Sequence, residues 1–466
     1  MNPVAEIVLN CPFLNSFRMT NTTLPIVSNK KIHRAWSMYD WANSAYSLVI
    51  TTTIFPAYYT AITSSTSQDG TVINDQVRFF GLQLSNSSLF DYTVAAAYLI
   101  IALLSPILSS VADLKGNKKA FMRLFCYIGS AACAGLYFFR LETLEWGIIL
   151  FAIAAVGFCG SQVFYNAYLP EIAYEQEQDK VSAQGFAYGY IGSVLLQLIC
   201  FVFVLKPDWF GITDTSLPAR LSFLLVGVWW FAFAHIPLIK LPKGTPRLHS
   251  GPKQRVLSNG FKELRKVFDQ LRHLPVLKTY LAAFFCYSMG VQTVMLAATL
   301  FGSKVLHLQQ GELIATILII QLVAIAGAFL MSKLSERIGN LSVLAMVVLI
   351  WIAVCIGAYF TTGSTGFYCL AAVVGLIMGG IQSLSRSTYS KLMPDTPDTT
   401  SFFSFYDVTE KVAIVIGMFS FGLIDHLTGN MRNAILTLII YFLVGWILLR
   451  IAIRRDVKHQ KASSAS

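Results

Sequence analysis

Apolar runs of membrane-spanning length recur along this 466-residue chain, and they constrain its fold more than any other feature. A transmembrane α-helix needs about 20 consecutive, predominantly apolar residues, and the chain contains about twelve such runs. They cover approximately residues 40–61, 90–112, 120–139, 146–169, 183–204, 220–241, 278–300, 311–331, 342–360, 366–388, 402–424 and 433–452. Because most connections between the runs are too short to fold independently, the sequence predicts an all-α membrane protein with twelve transmembrane helices.

The amount and the position of charged residues support this interpretation. Hydrophobic residues make up 55% of the chain and charged residues 13%, whereas soluble domains contain about 25% charged residues. Most Lys and Arg residues lie in the two tails and in alternate connections, which is the distribution of cytoplasmic segments under the positive-inside rule. We therefore expect both termini in the cytoplasm. The net charge of +11 then reflects membrane orientation and does not indicate nucleic-acid binding.

The sequence predicts no metal site, no cofactor and no enzyme. Its eight cysteines show neither metal-type pairs nor the spacing of a disulfide framework, so apolar packing is the preferred interpretation. There is no phosphate-binding loop and no nucleophile with an evident base. The first 33 residues lack the pattern of a cleaved signal peptide, and Met19 is an alternative to Met1 as the start.

Two similar strings about half a chain apart indicate an internal repeat. Residues 109–116 (SSVADLKG) and 332–339 (SKLSERIG) each follow the second apolar run of a half, and each combines small, acidic and basic residues before a glycine. Carriers built from internal repeats bind substrate at the repeat interface. The repeat therefore predicts two six-helix halves around a central cavity. We assign residues 1–34 to a cytoplasmic N-terminal tail, 35–241 and 278–452 to the two halves, 242–277 to a cytoplasmic linker, and 453–466 to a cytoplasmic C-terminal tail.

The central linker has two parts. Its first part is rich in proline and glycine and is predicted to be irregular. In its second part, apolar residues recur every three or four positions, with basic residues between them; they are Leu257, Phe261, Leu264, Phe268, Leu271 and Leu274. This pattern, which Pro275 ends, predicts a basic amphipathic helix that binds anionic lipid at the cytoplasmic membrane surface. Binding of a partner protein is the alternative.

Polar side chains within the first and fourth runs predict a solute site. Asp40, Asn43 and Ser44 follow helical spacing on an otherwise apolar helix, and such residues face the bundle interior or a water-filled cavity. We predict Asn43 and Ser44 as substrate contacts, and Asp40 as either a coupling residue or the N-cap of the first helix. In the fourth run, Gln162 and Asn166 are predicted either to bind substrate or to hydrogen-bond between helices.

The tenth and eleventh runs carry further polar and charged residues. Gln382 and Arg386 are four residues apart and share a helix face; we predict Gln382 as a substrate contact and Arg386 as an anchoring or gating residue. Asp407, Glu410 and Lys411 lie within the eleventh run, where an isolated charge costs at least about 3 kcal/mol, so ion pairing is expected. Three charges leave one carboxylate over. The cluster is predicted either to lock helices together or to couple transport to reversible protonation.

The repeated strings are predicted to gate the cavity. Asp113, at the cytoplasmic end of the second run, can contact the positive N-terminal end of the eleventh helix and hold one conformation. Lys118 follows in the same loop and can add an ion pair across the halves. Glu336 and Arg337 occupy the corresponding places in the second string. The alternative is that these residues only anchor the loops in the cytoplasm.

The first string resembles the loop between spans two and three of the major facilitator superfamily, which reads Gly-x-Leu-Ala-Asp-Arg-x-Gly-Arg-Arg. Ala112, Asp113 and Gly116 match, and Lys118 is a basic substitute. Leu114 stands in place of the usual arginine, so this copy is degenerate.

A more specific resemblance covers most of the chain. Residues 39–46 (YDWANSAY), 379–387 (GGIQSLSRS) and 402–411 (FFSFYDVTEK) resemble the facilitator subfamily that contains the autophagy-related vacuolar amino-acid effluxers of fungi and their bacterial relatives. The third segment departs from the family pattern, because Asp407 and Glu410 stand where mainly small or hydroxyl residues are expected.

The resemblance implies a carrier that alternates between inward-open and outward-open states and moves amino acids or other small solutes. We therefore expect a secondary active transporter that exports such solutes, with protons as the coupling ion. The alternative is a carrier-derived membrane receptor or scaffold without transport turnover. Short loops favour a bacterial cytoplasmic membrane, with the vacuolar membrane as the alternative location.

Overall fold

A computed structural model describes residues 27–66, 72–244 and 256–464, so most of the predicted N-terminal tail lies outside the described residues. Within these residues, twelve long helices follow one another along the chain. Their bounds are α1 (Lys30–Ala45, Tyr46–Thr53 and Ile54–Thr63 in succession), α2 (Asn86–Lys115), α3 (Lys118–Gly135), α4 (Leu144–Asn166), α5 (Glu175–Leu205), α6 (Leu217–Lys240), α7 (Pro275–Lys304), α8 (Gln310–Ile338), α9 (Asn340–Phe360), α10 (Ser364–Leu392), α11 (Thr399–Thr428) and α12 (Met431–Ser464). Among the described helices, ten (α2–α10 and α12) are long and apolar enough to cross a membrane.

The two remaining helices, α1 and α11, are less regular or more polar. α1 is divided into three segments, and α11 contains Asp407, Glu410 and Lys411. The first and last helices also extend beyond the predicted runs, because α1 begins at Lys30 and α12 continues to Ser464. These extra turns are rich in basic residues, which keep a helix end soluble beyond an apolar layer.

A π-helix, Tyr46–Thr53, interrupts α1. Pro56 follows it, and a proline has no N–H for the carbonyl four residues earlier, while its ring collides with that carbonyl. The turn before Pro56 is therefore widened, and the Thr52 hydroxyl donates to the Ser47 carbonyl at 2.8 Å. Such widened turns are rare within helices and often occur at functional sites.

The connection between α1 and α2 contains two short antiparallel hairpins. β1 (Ser65–Thr66) pairs with β2 (Val72–Asn74), and β3 (Gln76–Phe79) pairs with β4 (Leu82–Ser85). Phe80 and Gly81 join β3 to β4 with φ angles of 46° and 88°, and positive φ at both positions is characteristic of a type I′ turn. The prediction of an all-α chain is therefore wrong for this connection.

Buried apolar side chains form two clusters. One is drawn from residues 36–241, and the other from residues 267–452 together with Ala167 and Tyr190. In the first cluster, α1 packs against α5 and α6, and α3 packs against α4 and α6. In the second, α7 packs against α12, and α8 packs against α10. The clusters meet where α2 contacts α11 and where α5 contacts α8 and α10.

The end of the bundle that carries the linker helix (Val256–Arg272) is called the linker end here. α2, α4, α6, α8 and α10 finish at this end, and the helices that follow them begin there. The linker helix contacts α2 and α11, and it stops before Pro275, as the sequence predicts.

The described side chains of the linker helix differ from the predicted apolar face. Val267 and Leu271 are buried, whereas Phe268 is exposed and its ring centre lies 5.4 Å from the Arg272 guanidinium carbon. Leu271 of the predicted face is therefore buried as expected, whereas Val267 takes the buried position that was predicted for Phe268. The side chains of Leu257, Phe261 and Leu264, and segment 245–255, which is predicted to be irregular, lie outside the described residues.

Candidate functional site

A polar cavity of about 260 Å³ lies at the interface between the two clusters. It is bordered by α1, α2, α4, α5, α7, α8, α10 and α11. Eight of the nine predicted substrate and coupling residues line it: Asp40, Ser44, Gln162, Asn166, Gln382, Asp407, Glu410 and Lys411. Arg386, which was predicted as an anchoring or gating residue, lines it as well. These residues come from four helices that are far apart in the chain, α1, α4, α10 and α11, and they border one space.

Asn43 is the exception among the predicted substrate contacts. Its side chain is fully buried, and neither amide atom has a hydrogen-bond partner among the described residues. It does not line the cavity. With about 100° of rotation per residue, Asn43 is turned about 60° from Asp40 around the axis of α1, and its side chain is enclosed by protein away from the cavity.

Asp40 forms a buried ion pair with Arg386. The Asp40 carboxylate lies 3.2 Å from the Arg386 guanidinium, and both side chains are almost fully enclosed. The Tyr165 hydroxyl donates to the same carboxylate oxygen at 2.7 Å. Asp40 lies ten residues after the first residue of α1, Lys30, so its interpretation as a helix N-cap is wrong.

Arg386 joins both clusters through all of its guanidinium nitrogens. Its Nε donates to the Ser182 hydroxyl at 3.0 Å, and Nη2 donates to the Ser182 carbonyl at 2.9 Å. Nη1 donates to the Asn166 side-chain oxygen at 3.2 Å. The guanidinium carbon also lies 4.6 Å from the Trp36 ring and 4.3 Å from the Phe186 ring. Arg386 is thus a buried cross-link between helices and not an anchor at a membrane surface.

Glycines on α5 make room for this ion pair, and sequence reasoning did not identify them. A Cβ on Gly185 would lie 2.6 Å from the Asp40 carboxylate and 2.9 Å from the Arg386 guanidinium. A Cβ on Gly189 would lie 2.5 Å from the Ser44 hydroxyl. The available signal was their four-residue spacing, which is typical of close helix contacts in membranes.

The second charged group of the cavity is centred on Lys411. Its ammonium lies 2.8 Å from Glu410 and 3.4 Å from Asp407, so both ion pairs that the sequence suggested are present. Gln292 donates to Glu410 at 3.3 Å. The second Asp407 oxygen is buried without a hydrogen-bond partner among the described residues. One ammonium therefore faces two carboxylates.

Two tyrosines complete the polar lining, although the sequence did not identify them. The Tyr190 hydroxyl donates to the Gln382 side-chain oxygen at 2.6 Å, and the Lys411 ammonium lies 5.8 Å from the Tyr98 ring. Gln162 also lines the cavity. The site thus presents amide, hydroxyl and charged groups of both signs.

The cavity continues away from the linker end. A second space of about 150 Å³ shares Ser47, Tyr98 and Gln382 with the first and extends to Thr51 and Leu313. Leu313 lies in the first turn of α8, which starts at the end opposite the linker helix. Most of the additional lining is apolar.

Contacts between the two clusters close the linker end. Asp113 accepts hydrogen bonds from the Thr400 N–H at 3.2 Å and from the Ser401 N–H and hydroxyl, both at 2.8 Å. This is the predicted contact with the N-terminus of α11. Lys118 forms its ion pair with Glu171 of the same half, so the prediction of an ion pair across the halves is wrong. Across the halves, the Lys118 ammonium donates to the Thr399 hydroxyl at 3.4 Å.

The second repeated string makes a different contact from the first. Glu336 and Arg337 are exposed. The neighbouring Ser335 donates instead to Asp179 on α5 at 2.9 Å. Asp179 also lies 2.7 Å from Lys391 on α10. The acid of this contact therefore comes from the opposite cluster, so the predicted gating positions in the second string are not the ones that meet a partner.

No group of three or more His, Cys, Asp or Glu side chains that could hold a metal ion occurs in the described ranges. The charged side chains of the cavity instead form ion pairs with each other, three carboxylates with two cations.

Known proteins resemble the chain over almost its whole length. The family model described as vacuole effluxer Atg22 like matches residues 28–463. An uncharacterized MFS-type transporter, YxiO, from Bacillus subtilis (strain 168) is 34% identical over 90% of this chain and 94% of its own length. Autophagy-related protein 22 from Yarrowia lipolytica is 26% identical over 78% of this chain and 75% of its own length.

Solved structures of transporters share the fold. The major facilitator superfamily transporter FucP in the outward conformation gives a TM-score of 0.63 at 16% identity, covering 91% of this chain and 97% of FucP. The proton:xylose symporter XylE gives a TM-score of 0.66 at 12% identity, covering 91% of this chain and 95% of XylE.

Proposed function

Since the chain belongs to the family of vacuole effluxer Atg22-like proteins, which are transporters of the major facilitator type, we propose that it exports amino acids or similar small solutes by alternating access. It is an integral, multi-pass membrane protein. Its relatives come from a bacterium and from fungi. We place this chain in a bacterial cytoplasmic membrane, and a vacuolar membrane fits the same relatives.

The proposed topology has twelve crossings in two six-helix halves, residues 35–241 and 278–452. The linker end and both termini then face the cytoplasm, which agrees with the basic residues of these segments. The two separate apolar clusters support the division into halves. α1 and α11 cross the membrane as well in this arrangement, because their polar groups face the shared cavity and not lipid.

The observation that carries the proposal is one cavity at the interface between the clusters, lined by both acidic and basic side chains. An amino acid bears an ammonium and a carboxylate, and the cavity offers partners for both. Its volume of about 260 Å³ lies below the range of roughly 300–1,000 Å³ for drug-sized ligands. A small zwitterionic solute therefore fits. The receptor or scaffold alternative gains no support from relatives that are themselves transporters and effluxers.

Proton coupling is assigned to Asp407, Glu410 and Lys411. Lys411 neutralises one carboxylate of the pair, and the other is the candidate for reversible protonation. Asp113 and Lys118 hold the linker end closed through their contacts with the first residues of α11, while the cavity leads to the opposite end. Breaking these contacts would open the cavity toward the cytoplasm, from which solute is loaded.

Transport by the reconstituted protein tests this proposal. Liposomes that contain the purified protein are given a pH gradient and a mixture of isotope-labelled amino acids. We expect gradient-driven movement of at least one solute, and a loss of at least about tenfold in Lys411→Ala, with solute exchange without a gradient retained. Lys304→Ala removes an exposed lysine at the far end of α7 and serves as the matched control.

Two outcomes would contradict separate parts of the proposal. If none of the amino acids moves, the assigned solute class is wrong. If Lys411→Ala binds solute normally and the pH gradient still drives solute transport at the rate of the unaltered protein, the assigned coupling is wrong.

A further inference from the structure

A second concave surface lies at the linker end, away from the solute cavity. It is a groove of about 710 Å³ between the end of the linker helix, the start of α7 and the end of α12. Five basic side chains line it: Arg272, Lys278, Arg455, Lys458 and His459. None of the described residues that line the groove is acidic. The solute cavity and its gates use none of these side chains.

The groove also has an apolar wall. Ala282, Leu448 and Ile451 line it, and each lies one or two turns further into its helix than the nearest basic residue of that helix that lines the groove. In the proposed topology these turns enter the apolar layer of the membrane. Basic groups therefore stand at the level of lipid headgroups, and apolar groups stand at the level of the acyl chains.

Two acids neighbour the groove without lining it, Asp269 on the linker helix and Asp456 on α12. Asp269 lies 3.7 Å from Arg272 and is exposed, so it screens that side chain alone. Arg455 is fixed by donating to the Thr279 hydroxyl at 2.5 Å and to the Pro275 carbonyl at 3.4 Å. The guanidinium thereby connects α12 to the first turn of α7, whose N-terminus adds positive potential.

We propose that this groove binds an anionic phospholipid, with its phosphate among Lys278, Arg455 and Lys458 and its acyl chains along Ala282 and Ile451. Basic clusters next to the cytoplasmic end of membrane helices attract anionic lipids. The apolar wall favours a lipid over a soluble phosphate, because a soluble anion has nothing to place against it. The bound lipid would hold the end of the linker helix against α7 and α12. This inference depends on the proposed topology but not on transport.

Lipid binding by the purified full-length protein tests the inference. Native mass spectrometry compares binding of phosphatidylglycerol and of phosphatidylcholine with the same acyl chains. We expect a preference for phosphatidylglycerol, and a loss of roughly twentyfold in that preference in Lys278→Gln/Lys458→Gln, since each basic group contributes about fivefold. Both lysines are exposed, so the variant is expected to fold. Lys30→Gln/Lys31→Gln removes the same charge at the exposed start of α1 and should keep the preference.

Further arms separate a lipid site from other anion sites. Ala282→Trp narrows the apolar wall and is expected to weaken phosphatidylglycerol binding without changing the basic groups. Displacement of the lipid by inorganic phosphate or glycerol phosphate would overturn the inference in favour of a soluble-anion site. Equal loss of preference in the Lys30/Lys31 control would also overturn it, because binding would then follow net charge alone. No arm measures transport, so failure here is distinct from failure of the proposed function.

Discussion

At the scale of single residues, the buried charges of the cavity are held by several partners each. Arg386 contacts Asp40, Asn166 and Ser182 and is flanked by aromatic rings. A buried charge that loses its only ionic partner is costly, by about 3–5 kcal/mol. The Asp40–Arg386 pair is therefore expected to act as a unit in stability.

Arg386→Gln should lower the thermal unfolding temperature clearly, because it leaves the Asp40 carboxylate buried without a cation. We expect a loss of about 3–5 kcal/mol, measured as the unfolding midpoint of the purified protein in detergent. The double variant Asp40→Asn/Arg386→Gln should recover part of that loss. Arg337→Gln is the control, because Arg337 is exposed on α8. Equal stability of the single variant and the control would contradict the ion-pair argument.

At the scale of helices, close contact between α1 and α5 sets the geometry of the cavity. The contact depends on Gly185 and Gly189, which face Asp40 and Ser44 without a side chain between them. The site therefore depends on small residues as much as on charged ones.

Gly185→Ala should destabilise the protein and reduce solute binding, because its Cβ would lie 2.6 Å from the Asp40 carboxylate. Overpacking of this kind costs about 1–3 kcal/mol. Gly422→Ala is the matched control within α11, where nothing lies within 4 Å of the added Cβ. Alanine there should be neutral or slightly stabilising. Unfolding midpoints of both variants check this, and a Gly185→Ala protein as stable as Gly422→Ala would refute it.

The helices and much of the cavity could be predicted from the sequence, because hydropathy and helical spacing are local properties. Spacing placed Ser44, Gln162 and Gln382 correctly, and the dipole of α11 identified the contact of Asp113. The burial of the Asn43 side chain away from the cavity was not predictable, since it depends on how α1 packs against its neighbours.

Pairing between distant helices could not be predicted either. Asp179 and Lys391 are polar residues near helix ends, where solvent exposure is the usual outcome. Their contact exists only because the two clusters approach each other at the linker end. The same holds for Asp40 and Arg386, which are separated by most of the chain. The two hairpins were missed because their strands are too short for a periodic signal.

At the scale of the whole molecule, two contacts between the clusters close the linker end. In one, Asp113 of the first cluster meets the N-terminus of α11. In the other, Asp179 of α5 meets Ser335 and Lys391 of the second cluster. Both acids belong to the first cluster. Opening of this end therefore requires that two carboxylates lose their partners together.

Asp113→Asn should open the linker end more often, because the neutral amide binds the α11 N-terminus less strongly. Cys159 lines the cavity and reports this opening. We expect a membrane-impermeant thiol reagent, added at the linker side, to modify Cys159 several-fold faster in a background without other cysteines. Glu336→Gln, the exposed counterpart in the second string, is the control. Adding Lys391→Met should raise the rate further, and an unchanged rate in Asp113→Asn would contradict the gating role.

Because the cavity contains an odd number of charged groups, the membrane voltage would act on the conformational change of the empty protein. Among the described side chains that line the cavity, Asp40, Asp407 and Glu410 are acidic and Arg386 and Lys411 are basic, so the empty cavity carries one net negative charge when all five groups are ionised. Moving one elementary charge through 100 mV changes the energy by about 2.3 kcal/mol. For the empty protein, the energy of the step that moves the cavity opening from one membrane face to the other would depend on the voltage. With one carboxylate protonated, the cavity would be neutral and this dependence would disappear. The sign of the membrane voltage would therefore change the rate at which the empty protein reorients, whichever solute is transported.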